Sequence, residues 1–386
     1  MINLQKVIAG YSLFFIFVSF AFGTSQLEFV PGYVSLLSIA LPIVHIKAYK
    51  ALLTKEFLFI FIALFIILVS GYVSPHKGEA FPNSLRLLYR YLTVIFSCAF
   101  VINHNYFKAG LKAVVLGALC TQLLNFLGAG AISFSSREVN DAILSINGYA
   151  HNVTIGLFAS FILYDLEDKK LWRYIFYVFI LLSFLSFLSI ASRQSLVVAL
   201  FFIFILILLK NIKYGVLILF RVFIYGLVSL VVLLLLYNYL QDTVLVQRMI
   251  STNIEEDERF RILQHSLELF WQRPFIGYGP GTYGNYDIFV YTHSTPAELL
   301  FTGGVVYAFL YYLLFVILIT KAWKLRVVNF NQSVAIIAVL ITYLLAGQFY
   351  LFHSSRLALI LFFLCLFYIN TRFTYDGKGR FRLNKL

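Results

Sequence analysis

The chain has 386 residues, 61% of them hydrophobic and only 12% charged, with a formal net charge of +13 and a mean hydropathy of +0.88. A soluble domain of this length cannot hide so much apolar side chain, whereas a polytopic membrane protein turns it toward lipid. The three cysteines (Cys98, Cys120 and Cys365) all lie inside apolar runs, which argues against a disulfide framework, and cations spread over short segments argue against nucleic acid as a partner.

A membrane span needs roughly 20 mainly apolar residues. Twelve windows meet that description, near 4–22, 30–47, 56–74, 87–103, 108–127, 147–165, 172–191, 194–210, 215–239, 297–320, 333–351 and 355–371. The first is read as a retained span, because so many others follow it. The expected fold is therefore all-α: about twelve transmembrane helices and one extended loop that contains an amphipathic helix. In chain order this gives spans one to nine (1–239), the loop (240–296), spans ten to twelve (297–371) and a basic tail (372–386).

Orientation follows from the lysines. With a cytoplasmic N-terminus, fourteen of the fifteen lysines fall on the inner side or in the tail "RFTYDGKGRFRLNKL", and only Lys77 falls outside. The arginines divide differently. Nine of fifteen (Arg86, Arg90, Arg137, Arg193, Arg248, Arg259, Arg261, Arg273 and Arg356) fall at or beyond the outer face. Guanidinium offers a planar fork of donors suited to phosphate and carboxylate oxygens, while lysine is a compact, strongly hydrated charge. An outer face rich in arginine and poor in lysine points to a bound anion, with snorkelling to lipid headgroups as the plainer alternative.

The loop at 240–296 is too short for an ordinary independent domain. Its middle, "EEDERFRILQHSLELFWQRP", reads as a helix. Acidic residues 255–258 favour the positive end of the helix dipole, Phe260, Leu263, Leu267 and Phe270 or Trp271 recur at helical spacing and give one apolar face, and Pro274 ends it. The glycines of "FIGYGPGTYGNY" permit tight turns and close backbone approach to a ligand. They do not make a phosphate-binding GxGxxG, since no strand precedes them and no helix follows. His293 then stands four residues before the tenth window, with Glu298 inside that window's first turn.

These residues resemble the O-antigen ligase and polymerase superfamily. "HSTPAELLFTGGVVY" fits its signature of histidine, then Asn, Ser or Gln, nine residues, glycine, two more and Gly, Thr or Tyr, met here by His293, Ser294, Gly304 and Tyr307. "RFRILQHSLELFWQRPFIGYGPG" is similar to the family's arginine, amphipathic helix, proline and glycine pattern and carries Arg259. "SIASRQS" resembles its Ser-Arg step between two spans and carries Arg193. "NGYAHNVTIG", with Asn152, is similar to the family's Asn-Pro-Asn stretch, from which Ala150 and His151 depart.

The resemblance implies a glycosyltransferase of the bacterial inner membrane, with both termini cytoplasmic and the active site facing the periplasm. Its implied donor is an oligosaccharide on an undecaprenyl diphosphate carrier. The implied acceptor is a second carrier-linked glycan in a polymerase, the version favoured here, or lipid A-core in a ligase. A flippase or a chain-length regulator are the partners it implies, beside membrane lipids.

Breaking the glycosyl–diphosphate bond develops negative charge on the leaving group, which fixed cations stabilise. Arg193 and Arg259 are the expected catalytic cations, with Arg261 and Arg90 as further substrate-binding arginines. His293, whose intrinsic pKa is near neutral, is the expected general base. Glu298 either orients that histidine, takes its place, or serves as a helix-start carboxylate. Asn152 is an expected substrate-binding residue. No metal or cofactor is required, because "EEDE" at 255–258 reads as helix-start charge. The rival from another class is a lipid-linked glycan flippase or other secondary transporter, which would place its polar site near the bilayer midplane, often at broken helices.

Overall fold

The computed structural model describes residues 4–23, 29–44, 54–103, 106–128, 146–189, 192–212, 258–289, 291–292, 294–347, 353–375 and 381–383. Within them the apolar windows become helices, as expected of a chain whose backbone polar groups must be satisfied internally in lipid. In order these are α1 (Leu4–Phe22), α2 (Phe29–Val44), α3 (Lys55–Val73), α4 (Lys77–Asn103), α5 (Phe107–Gly128), α6 (Ile146–Tyr164), α7 (Lys170–Ser189) and α8 (Arg193–Lys210). Then come α9 (Glu258–Gln272), α10 (Thr295–Leu325), α11 (Phe330–Ala346) and α12 (Arg356–Thr371). Eleven of the twelve expected windows coincide with a helix, and the window 215–239 lies outside the described residues. Among the described residues, α3, α5, α7 and α10 are long and apolar enough to cross a membrane, while α1, α8, α11 and α12 are apolar but shorter.

Two helices outrun their windows. α4 begins at Lys77, not near 87, with Glu79 in its first turn. That carboxylate accepts a 2.7 Å hydrogen bond from Asn285 Nδ2, so the polar start of α4 is tied to the loop after α9. α10 has 31 residues and starts and ends beyond its window, at Thr295 and Leu325.

The fold is all-α as expected, and the basic tail adds a short antiparallel pairing of β1 (Phe373–Tyr375) and β2 (Phe381–Leu383), with Thr374 opposite Arg382. The aromatic and aliphatic residues alternate along "FTY" and "FRL".

α12 is the most enclosed helix, with every side chain from Leu357 to Ile369 buried. α6 and α11 are nearly as enclosed. α3 and α7 form part of the outside and expose Leu58, Phe65, Leu171 and Leu181, as helices facing lipid do.

Lysine-centred ion pairs hold one end of the bundle. Lys321, late in α10, meets Glu56 at the start of α3 (2.5 Å) and Asn370 at the end of α12 (2.9 Å). Glu167, between α6 and α7, receives Lys112 (2.6 Å) and Lys108 (3.1 Å) from α5. Burial alone would raise the Glu167 carboxyl, but hydrogen bonds from the two ammonium groups and from the Lys169 N–H hold it down at about 2. Lys210, closing α8, pairs with Asp165 at 2.8 Å.

Candidate active site at the arginine-rich end

The opposite end is built around a break in α10. Gly304 has φ +71° and ψ −172° inside the helix, a conformation only glycine adopts without strain. The break frees the carbonyls of Phe301 and Thr302, and backbone of the glycine-rich loop takes both. Tyr278 N–H donates to Phe301 O (2.7 Å), Gly279 N–H donates to Thr302 O (2.9 Å), and Val305 N–H donates back to Pro274 O (2.7 Å). The fit leaves no room for side chains. A Cβ on Gly277 would stand 2.5 Å from Phe301 O, and one on Gly304 would stand 2.4 Å from the Phe275 carbonyl. The close backbone approach read from "FIGYGPG" is thus made to α10 itself.

Aromatic rings fasten the loop further. Tyr278 stacks on Phe301 with centroids 5.0 Å apart, and Tyr283 meets the same ring edge-on at 5.2 Å. On its inner face α9 buries Ile262, Ser266 and Leu269, and it leaves Phe260 and Trp271 exposed. Burial, followed by the neighbouring Asp287 carboxylate, pushes the Tyr283 hydroxyl up from its ordinary value.

The expected site residues divide on this frame. Arg193 opens α8 behind Ser192, whose hydroxyl caps the helix by accepting from Ser195 N–H. Arg259 is the second residue of α9. Both of these side chains, and His293 altogether, lie outside the described residues, as do residues 255–257 of "EEDE". Arg261 is exposed, pairs with Asp287 at 3.7 Å and faces the Phe289 ring. Arg90 donates from Nη1 to the Ser354 carbonyl.

Glu298 is buried, and its Oε2 accepts from both the backbone N–H (3.2 Å) and the hydroxyl (3.0 Å) of Thr292. The Thr292 hydroxyl also lies 3.0 Å from Ser294 O. The residues on either side of position 293 are therefore clasped to the first turn of α10, and Glu298 is the clasp. A carboxylate that only answered the helix dipole would not need this geometry.

Asn152 stands apart from the rim. It is fully buried between helices, and its Nδ2 donates to Phe20 O in α1 (2.6 Å) and to Thr121 Oγ1 in α5 (3.2 Å).

One segment escaped the sequence reading: "HSSR", residues 353–356, immediately before α12. It gathers groups from α4 and α6. Tyr91 donates to His353 O at 2.7 Å, Arg90 reaches Ser354 O, and His151 Nε2 lies 2.9 Å from Ser355 Oγ. Ser355 caps α12 by accepting from Ala358 N–H. Thr295 N–H donates to Gly347 O at 2.7 Å, which brings the end of α11 against the start of α10. His353 is buried, and burial together with the Arg90 charge lowers its imidazole from 6.5 to about 3, so it is neutral at neutral pH. The signal was present in the sequence, since a histidine and hydroxyls directly before an apolar run is the pattern of "HSTPAE" repeated.

Residues 177–312 match a family model described as O-antigen ligase. The matched stretch holds Arg193, Arg259, Arg261, His293 and Glu298, and it supports the O-antigen ligase and polymerase superfamily. No curated protein matches the chain.

Proposed function

We propose that the protein acts as the family match implies, as a membrane glycosyltransferase that moves an oligosaccharide from an undecaprenyl diphosphate carrier to a sugar hydroxyl at the periplasmic face. The favoured version is a polymerase whose acceptor is a second carrier-linked glycan. The match over 177–312 carries this reading, because it spans the arginine and histidine positions that the chemistry needs.

In the proposed reaction the acceptor oxygen forms a bond to the anomeric carbon while the bond from that carbon to the diphosphate oxygen breaks. The electron pair leaves with the diphosphate, whose growing charge falls to Arg193 and Arg259. The proton of the acceptor hydroxyl passes to His293, whose neighbour Thr292 is clasped by Glu298. One direct displacement inverts the anomeric centre. The lysine bias of the loops supports a cytoplasmic lysine-rich end, and with it a reaction at the periplasmic side.

The geometry of α10 weighs against the transporter reading. A broken helix serves transport when its freed backbone faces a substrate cavity. Here those carbonyls are taken by Tyr278 and Gly279.

Reconstitution of purified protein with a carrier-linked oligosaccharide tests the proposal. Arg259→Ala and His293→Ala should each lower turnover by ~100–1,000-fold while membrane levels hold. Wild-type rates in both variants would discard the assignment. Surface polysaccharide from a deletion strain decides the acceptor. Single repeats still joined to core mean polymerase, and loss of all attached glycan means ligase.

A further inference from the structure

The corner where α9 turns back onto α10 carries exposed apolar side chains. α9 has two apolar stripes. Ile262 and Leu269 form the buried one, while Phe260, Leu267 and Trp271 recur at helical spacing on the other side and are exposed, Trp271 at 74%. Beyond the helix, a turn is closed by Gly277 N–H donating to Arg273 O at 3.0 Å. Its tip raises Phe275, 69% exposed, and Ile276.

This patch runs on from the wall of a membrane helix. The bond from Val305 N–H to Pro274 O (2.7 Å) sets the turn against α10, a helix long and apolar enough to span. There Val305, Val306 and Phe309 are exposed as lipid-facing side chains are. A contiguous exposed apolar patch marks a surface that meets something other than water. Continuity with α10 makes that partner the membrane, and tryptophan is a residue favoured at headgroup level.

Between Trp271 and Phe275 in the chain stands Arg273. Its guanidinium lies 5.5 Å from the centre of the Tyr278 ring, and its Nη1 is buried with no hydrogen-bond partner among the described residues. Arg261 has Asp287, whereas Arg273 has no ion pair among the described residues. An unmet donor costs stability until an acceptor reaches the group. The residue is half-buried, so its fork stays open to an anion from outside, and that fork suits phosphate oxygens.

We propose that this corner docks on anionic phospholipid of the leaflet at the arginine-rich end. Trp271, Phe275 and Ile276 enter the boundary of the acyl chains, and Arg273 binds a headgroup phosphate. The membrane then backs the turn that seals the break in α10.

Fluorescence of the full-length protein in phosphatidylcholine vesicles tests this. Trp172→Phe with Trp323→Phe leaves Trp271 as the one emitting tryptophan. Lipids brominated high on their acyl chains should quench most of its emission, and aqueous iodide little of it. In trace amounts, brominated phosphatidylglycerol should quench about fivefold more per lipid than brominated phosphatidylcholine, the scale of one cation at an anionic surface. Arg273→Gln should abolish that preference. Arg86→Gln should keep it, since Arg86 is at the same end but already bonded to Asn83. Phe275→Ser with Ile276→Ser should lessen quenching by either lipid. If the paired tryptophan substitution does not fold, Trp271→Phe in the otherwise unchanged chain should remove the same lipid-quenched emission. Emission open to iodide and closed to brominated lipid overturns the proposal, since the patch would then face water or another protein. A preference that survives Arg273→Gln, or that Arg86→Gln removes equally, also overturns it. So does undecaprenyl phosphate that competes better than unbrominated phosphatidylglycerol, since Arg273 would then serve the carrier. No turnover is read, so the outcome is independent of the glycan-transfer reading.

Discussion

Glu298 can be read as a base or as a clasp, and one substitution separates the two. Glutamine keeps an oxygen that accepts from Thr292 but cannot take a proton, whereas alanine removes both capacities. If the carboxylate works by fixing the turn around position 293, Glu298→Gln should retain most activity. Glu298→Ala should fall by about 100-fold, the scale of a misplaced catalytic group. Equal loss in both variants would make Glu298 the base. The clasp was only half legible in the sequence: the spacing put Glu298 on the first turn near His293, but its bonds to Thr292 depend on how the loop returns to the helix. His353 gives a prediction of pH dependence. Its folded pKa is lowered from 6.5 to about 3, so the unfolded chain binds the extra proton first. The stability tied to the neutral ring is complete above pH 6.5 and is lost as pH falls toward 3. Thermal melts of His353→Gln between pH 7 and 4 should show a shallower acid decline than those of the parent protein, and identical slopes would remove His353 as the sensor.

At the scale of elements, the break in α10 explains the signature. Its glycine at 304 is required because a left-handed residue lets the helix accept the loop's N–H groups, the glycine at 277 because the loop lies there backbone against backbone, and the glycine at 279 because a Cβ would stand 2.7 Å from Ala80 Cβ. Gly304→Ala adds a Cβ 2.4 Å from the Phe275 carbonyl at φ +71°, so it should cost at least about 2 kcal/mol from backbone strain and displacement of the loop. Limited proteolysis should then cut within 273–289, which the parent resists. If Gly304→Ala matches the parent in proteolysis and melting, the break does not hold the loop. The helices themselves were legible, because runs of apolar residues fix where backbone must satisfy itself. Their extensions were not. Lys77–Arg86 is too polar to register as a span, yet it continues α4 because Asn285, about 200 residues away in sequence, anchors it. The "HSSR" hub was missed for the same reason: its partners Tyr91, Arg90 and His151 come from two distant helices.

For the whole molecule, the two ends divide by the chemistry of their cations. At one end Lys108 and Lys112 of α5, Lys210 of α8 and Lys321 of α10 pair with the buried carboxylates of Glu167, Asp165 and Glu56. The other end holds Arg90, Arg261 and Arg273 with the loop and the hub. Glu167 links α5 to the α6–α7 connection. Its carboxyl is held at about 2 against an ordinary 4.5, so its contribution is present above pH 4.5 and lost as pH falls toward 2. Glu167→Gln should lower the melting temperature at neutral pH and narrow its difference from the parent in acid. The same division predicts sidedness. Lysine bias retains cytoplasmic loops inside, whereas the proposed transfer requires its site to open to the periplasm. Single cysteines at Lys169 and at Asn285, in a background with Cys98, Cys120 and Cys365 replaced by serine or alanine, should therefore react oppositely with an impermeant maleimide in intact cells. The cysteine at 285 should be labelled at once, and the cysteine at 169 only after lysis. Reaction of both in intact cells would mean that the bundle does not separate two compartments. The reverse pattern would place the arginine-rich end in the cytoplasm, where no flipped donor could reach it.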